Sequence, residues 1–248
     1  MGRKYEMVED TLVHDGVTLH RIRALKDFSD VKAGDLGGWI ERESNLSQTG
    51  SCWVYDDAMV YGTASVKDNA RVESNVEIRG NAHVCGNTRV CCAEVYGSAI
   101  ICDSASLVGN AEVYGSAIIG GKALISGYAV IHGCAKVLGE SIISGCTIIK
   151  DQAFVCDTSI GGDASIGSDA IICSGYDYLS ATSIIKGQRL ATTIYRSLED
   201  GIYVTSGSQF CGTLCEFDSR KVLIKDPLEL EYHEKLVDLI RGYFALRE

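Results

Sequence analysis

From Ser51 to Ser174 the chain repeats a six-residue unit of the form x-Ala-x-Val-x-Gly, as in Asp57–Gly62 and Asn110–Gly115. The register runs through 21 units, two of which, Asn87–Cys91 and Thr158–Gly162, read as one residue short. In this register the second position is Ala in 15 of 21 units, with Ser159 among the exceptions, and the fourth is Val, Ile or Leu in 20 of 21. Positions two and four are two residues apart, so on an extended segment both point to the same side. A small and a branched residue facing inward, followed by a Gly, Asp or Ser that can turn the chain, describe strand, corner, strand. Three such units make one triangular coil, and the whole set makes seven coils of a parallel β-solenoid. At about 4.8 Å per coil the prism is roughly 34 Å long. The inward Ala lets three sheets close on a narrow axis, where a larger side chain would overpack.

Read from the branched residue, the pattern is [LIV]-x-x-x-[STAV]-x, which resembles the left-handed parallel β-helix family of hexapeptide-repeat proteins. The left hand is what the resemblance implies, since chain sterics in general favour a right-handed crossover. Three further segments, Gly34–Ile40, Trp53–Ala58 and Gly212–Phe217, resemble a phage- and prophage-encoded group within it. That group is similar to the YdcK-like transferase set and to polymer-forming β-helix proteins. The resemblance implies a homo-oligomer, with a trimer favoured over an isologous dimer. Acyltransferases of this fold use a His as general base at a subunit interface and bind an acyl-coenzyme A along a groove.

Residues 1–50 read as a β-hairpin and cap, with Leu12-Val13 and Val17–Arg23 flanking the turn signal Asp15-Gly16. Trp39 and Trp53 are expected to plug the first coil, whose apolar core and strand edges would otherwise be open. Residues 175–248 read as a small α+β unit. Strands are expected over 178–185, 191–195 and 202–205, with Asp200-Gly201 turning the last two into a hairpin. A final helix starts at Asp226 as N-cap, with Pro227 behind it. Its expected apolar face is Leu228, Tyr232, Leu236, Leu239, Ile240, Tyr243 and Phe244, packed on residues 176–224 or on the last coils. The fold class is therefore all-β: seven triangular coils, a hairpin cap and a small α+β unit ending in a helix.

The net charge of −10 and pI near 5 disfavour nucleic acid or an anionic membrane as a partner. Eleven cysteines, an odd number with no metal-ligand spacing, fit reduced thiols and a cytoplasmic location better than a disulfide or zinc framework. No signal segment or membrane-spanning run is expected. No cofactor and no metal site are expected either.

Stacking units three apart sorts the outward residues by face. One face carries Glu94 and Glu112 beside Tyr96, Tyr114 and His132. This is either a solvated face with stacked aromatics or a polar groove for a ligand. Another carries Ile100, Ile118, Phe154 and Ile171 beside Leu138. Apolar stripes on a solenoid need a cover, and these five are the expected oligomer interface, with the C-terminal unit covering a further face. Cys85/Cys102 and Cys156/Cys173 are expected on adjacent coils as small apolar columns. In the C-terminal unit Tyr178, Arg189, Tyr195 and Arg196 are candidate ligand contacts, in a pocket between the last coils and residues 176–217. The histidines are His14, His20, His83, His132 and His233. None has an orienting partner evident in sequence, no long loop interrupts the coils, and no catalytic residue is assigned. The leading expectation is a non-catalytic oligomeric binding protein that captures a host protein or small signal molecule, as a defence antagonist would. The alternatives are an acyl-coenzyme A-dependent acyltransferase and a self-assembling structural protein.

Overall fold

A computed structural model describes residues 2–185, 188–197, 201–206 and 210–245, with the side chains of 181–190 left aside. The repeat forms a three-sided parallel β-solenoid of seven coils. Two of its faces are seven-stranded sheets and the third is part of a ten-stranded sheet. Rungs stack in register: Glu94 lies between Glu77 and Glu112, and Ile100 between His83 and Ile118. The inward Ala and branched residues are essentially inaccessible, Ala99, Ile101, Ala117 and Ile119 among them at 0% exposure. At two of the polar small positions the hydroxyl bonds back three residues: Ser141 Oγ donates to the Leu138 carbonyl and Thr147 Oγ1 to that of Ser144, each at 2.7 Å.

The corners rest on the left-handed region of backbone space. Gly115 has φ 71°, and a Cβ built there would lie 2.8 Å from the Gly133 carbonyl of the next rung. Backbone conformation and burial relocate the first short unit and, within the second, Thr158–Gly162, the missing residue. Cys92 has φ 56° and is therefore the sixth residue of its unit, so the unit lacking a residue is 93–97. In the second case Thr158 is buried, Ser159 is exposed, and Ile160 pairs with Ile143. Thr158, and not Ser159, is thus the inward small residue, and the branched position is filled in every unit. Both omissions fall on the first residue of a unit, outside the strand, where a corner can tighten without breaking the ladder.

The N-terminal hairpin, Tyr5–His14 with Val17–Ala24, continues a prism face rather than sitting apart from it. Leu36–Ile40 pairs antiparallel with the hairpin and parallel with the first rung, Trp39 opposite Met59 and Ile40 opposite Val60. Trp53 behaves as expected: 1% exposed, it meets the rings of Tyr5 and Phe28 edge-on. Trp39 does not plug the end. It packs on the outside with Leu19 and Tyr61, under the Arg21 guanidinium. Polar side chains finish the closure. Asn45 Nδ2 donates to the Ala64 carbonyl at 2.8 Å, and the buried Lys4 Nζ to that of Cys52 at 2.9 Å.

At the other end a four-stranded antiparallel sheet, Tyr178–Ile185, Gln188–Ser197, Gly201–Ser206 and Phe210–Thr213, lies across the last rungs. Alternation gives it two faces. Thr193, Tyr195 and Thr205 meet the coils, while Thr192, Ile194 and Ser206 face the helices. Two helices follow, Leu214–Ser219 and Pro227–Ala245. Asp226 Oδ1 accepts from the Leu228 amide at 3.0 Å, the expected cap. The long helix packs on the sheet through Leu236, Val237, Ile240 and Phe244. Leu228 and Leu239, expected on that face, are 78% and 56% exposed, so the buried stripe is rotated toward Val237 and His233. The C-terminal unit therefore caps an end of the prism, its sheet bonded to the last rungs.

Among the described residues no helix is long and apolar enough to cross a membrane.

Candidate functional site

The expected polar ladder exists. Arg79 sits over Tyr96 at 4.1 Å, Tyr96 stacks on Tyr114 at 4.8 Å, and Tyr114 on His132 at 4.9 Å, the ring planes within 4°. Glu77 and Glu94 flank the column and pair with Arg79, Glu94 Oε2 at 3.1 Å from Nη2. Glu112 lies on the next rung. The structure thus brings together five of the predicted residues, Glu94, Tyr96, Glu112, Tyr114 and His132. Both faces of Tyr114 are occupied by its neighbours, and Tyr96 is covered by Tyr114 and Arg79. A ligand would find the edges and hydroxyls of these two tyrosines but neither of their faces open to stack on. The geometry is that of a stabilising rung ladder.

The C-terminal candidates prove to be joints. Tyr195 is fully buried, and its hydroxyl accepts from the Gly167 amide at 3.2 Å. Burial holds its phenol well above the ordinary tyrosine range. The Tyr178 hydroxyl donates to the Ser159 carbonyl at 2.8 Å. Arg196 Nη2 donates to the Phe244 carbonyl at 3.1 Å and lies over that ring. These three residues bind coils, sheet and helix to one another. The Arg189 side chain lies outside the described residues. Of the expected interface, Ile100, Ile118, Leu138 and Phe154 are half-buried and Ile171 is 39% exposed. The cysteine columns carry protonated thiols: burial, then the neighbouring Asp103, pushes Cys102 up to about 11.

The cavity lies on the opposite side of the sheet from the one expected. It has a volume of about 360 Å³ and opens between the sheet's outer face, the segment 217–226 and the start of the long helix. Its floor is Thr192 and Ser206, whose hydroxyls share a hydrogen bond at 3.0 Å. Phe210 and Phe217 form an aromatic wall, with the Arg220 guanidinium over Phe210 at 5.1 Å. Lys225, Asp226 and Glu229 bring charge to the lining. His233 projects from the long helix with its ring 4.6 Å from that of Phe217. It is 6% exposed, and its Nε2 has no hydrogen-bond partner. A buried polar nitrogen left unpaired costs about 1–3 kcal/mol, and native structures keep few such atoms. The site thus combines apolar walls with a few convergent polar groups, in a volume suited to a small organic molecule. Sequence reading had placed His233 only by number. Its importance depends on the pairing of strands far apart in the chain, and the one local signal was its place beside Tyr232 on an amphipathic helix.

A second arrangement lies on the prism. Ser65 Oγ and His83 Nδ1 are 2.7 Å apart on the face that carries Ile100 and Ile118. His83 therefore has the orienting partner that sequence did not reveal. Among the described residues no group of three His, Cys, Asp or Glu converges on a possible metal position.

No family model matches the chain. A stretch of 62 residues is 47% identical to the Escherichia coli (strain K12) protein named "Uncharacterized acetyltransferase YdcK". It covers 22% of this chain and 19% of that protein, so the match spans about a fifth of the relative's length. This partial likeness and the seven-coil solenoid fit a hexapeptide-repeat β-helix family.

Proposed function

We propose that this protein is a binding β-solenoid whose C-terminal cavity captures a small molecule without transforming it. The observation that carries this reading is the 360 Å³ cavity itself, which sets the Phe210 and Phe217 rings, the Thr192 and Ser206 hydroxyls and His233 around one space. A ligand offering a hydrogen-bonding group to the Thr192 and Ser206 hydroxyls and a flat apolar part to Phe210 and Phe217 would fill the void. The solenoid then acts as a rigid mount, with recognition placed on the unit grafted to its end. A capture role against a small signal molecule, as in antagonism of a host defence, fits a cavity set apart from the Ser65–His83 pair on the prism. We also propose that the chain assembles as a homo-trimer through the face bearing Ile171.

Native mass spectrometry of protein purified from cells, followed by release of the bound molecule, tests the capture reading. A stoichiometric small molecule lost in His233→Ala supports it. Empty protein that shows no thermal shift across a metabolite library overturns it.

Acyl transfer is the second reading, favoured by the name of the partial relative and by the oriented His83. Incubation with acetyl-coenzyme A and a panel of amines and alcohols, read by release of the free thiol, decides the matter. Turnover abolished by His83→Ala and retained in His233→Ala would replace the first reading with the second.

A further inference from the structure

The omission in unit 93–97 leaves a mark on the prism surface. Asn75 and Asn110 are the first residues of the units directly below and above it, and the shortened rung has no residue between them. The result is a notch of about 290 Å³ lined by Asn75, Cys92, Glu94, Asn110 and Glu112. Beside it the chain passes from Cys91, at the end of a strand, to Cys92 in the left-handed conformation at φ 56°. On an extended strand neighbouring side chains point to opposite sides. The left-handed corner turns them to the same side, and Cys91 Sγ and Cys92 Sγ stand 3.7 Å apart. Cys91 is half-buried and Cys92 exposed. At the equivalent corners of adjacent rungs the pairs are Glu73-Ser74 and Val108-Gly109, so the juxtaposed thiols are particular to this rung.

We propose that Cys91 and Cys92 form a chelating dithiol for a soft, three-coordinate thiophilic centre of the trivalent arsenical type, with the notch receiving its third substituent. The spacing distinguishes this from a disulfide. A disulfide needs its sulfurs about 2.05 Å apart and its Cα atoms about 4.4–6.8 Å apart, whereas adjacent Cα atoms are held at about 3.8 Å. A central atom bonded to both sulfurs needs them within reach of one atom and not at bonding distance from each other, and at 3.7 Å the two thiols can close on such an atom by small side-chain rotations. A closed four-ligand metal site would need further side chains, and among the described residues no such group converges. A three-coordinate centre needs only the two thiols. With an organic arsenic(III) oxide the step balances as two S–H bonds broken, two S–As bonds formed and one water released. Arsenic keeps its oxidation state, so no oxidant or reductant takes part.

The test is intact-protein mass spectrometry of the full chain with phenylarsine oxide in a large excess of glutathione, followed by peptide mapping. The expected result is one arsenical per chain, bridging two thiols on the peptide that contains Cys91 and Cys92. Loss of chelation lowers affinity on the order of 100-fold, so Cys91→Ser and Cys92→Ser should each lose the adduct under this competition. Cys102→Ser and Cys173→Ser, which break the two cysteine columns, should keep it. An adduct mapping to either column, or one surviving in Cys92→Ser, overturns the proposal. So does displacement by the monothiol in the native chain.

Discussion

The backbone amide of Ser165 donates to Thr193 Oγ1 at 2.9 Å. Ser165 belongs to the last rung of its face, whose outer edge would otherwise face solvent unpaired. Thr205 completes the seal from the neighbouring strand, its Oγ1 donating to the Ser165 carbonyl at 2.8 Å. Thr193→Val keeps the shape and deletes the acceptor. It should destabilise the fold by about 1–3 kcal/mol, measured as a lower midpoint in urea with an unchanged slope.

Acid should act through Asp30. Its carboxylate takes two hydrogen bonds from Arg71, at 2.8 and 2.9 Å, and one from the Tyr55 hydroxyl at 2.8 Å. Arg71 first, and Tyr55 next, hold this carboxyl well below the usual carboxylate range. The folded state therefore releases the proton more readily than the unfolded chain, whose aspartate titrates near 4. Stability from this group is complete above that unfolded value and is lost as pH falls toward the folded one. Thermal midpoints measured from pH 5 down to pH 2 should fall less steeply in Asp30→Asn than in the native chain.

At Gly115, both the positive φ and the 2.8 Å approach to Gly133 forbid a side chain. Gly115→Val should cost about 1–3 kcal/mol from backbone conformation alone, with the clash in addition. Guanidinium unfolding measures it, and Gly175→Val, at an open position with nothing within 4 Å, is the control.

Binding and stability should part company at His233. His233→Leu removes the unpaired nitrogen while keeping bulk against Phe217. It should raise the ligand-free melting midpoint by the equivalent of about 1–3 kcal/mol and abolish capture. Differential scanning calorimetry with and without the co-purified molecule reads both effects.

If the trimer forms through the face bearing Ile171, light scattering should give a mass about three times that of one chain. Ile171→Asp should reduce it to a single chain, because a carboxylate placed in an apolar contact is desolvated without a partner.

The solenoid was legible because its rule is local. Ala and Val alternate within three residues, and a turn residue closes each unit, so no long-range information is needed. The omissions were misplaced for the same reason: a missing residue can be assigned to either end of a unit until backbone conformation decides, as Cys92 does. The ladder of Tyr96, Tyr114 and His132 followed from register alone, although register could not say that the ring faces would be consumed by one another. Tyr178, Tyr195 and Arg196 were singled out by position but not as joints, because strand alternation says that residues face opposite ways without saying which side the coils occupy. The cavity needed the pairing of strands Gln188–Ser197 and Gly201–Ser206 with helix Pro227–Ala245, which no short-range pattern supplies.

A stack of identical rungs is a one-dimensional object, and such objects ordinarily lose their terminal repeats first. Here Asn45 and Lys4 hold the carbonyls at one end, while Thr193, Thr205 and Tyr195 hold the backbone at the other. Unzipping from either end must first break a buried side-chain lock. The seven coils should therefore melt as one cooperative unit, with amides of the outer rungs exchanging hydrogen nearly as slowly as those at the middle.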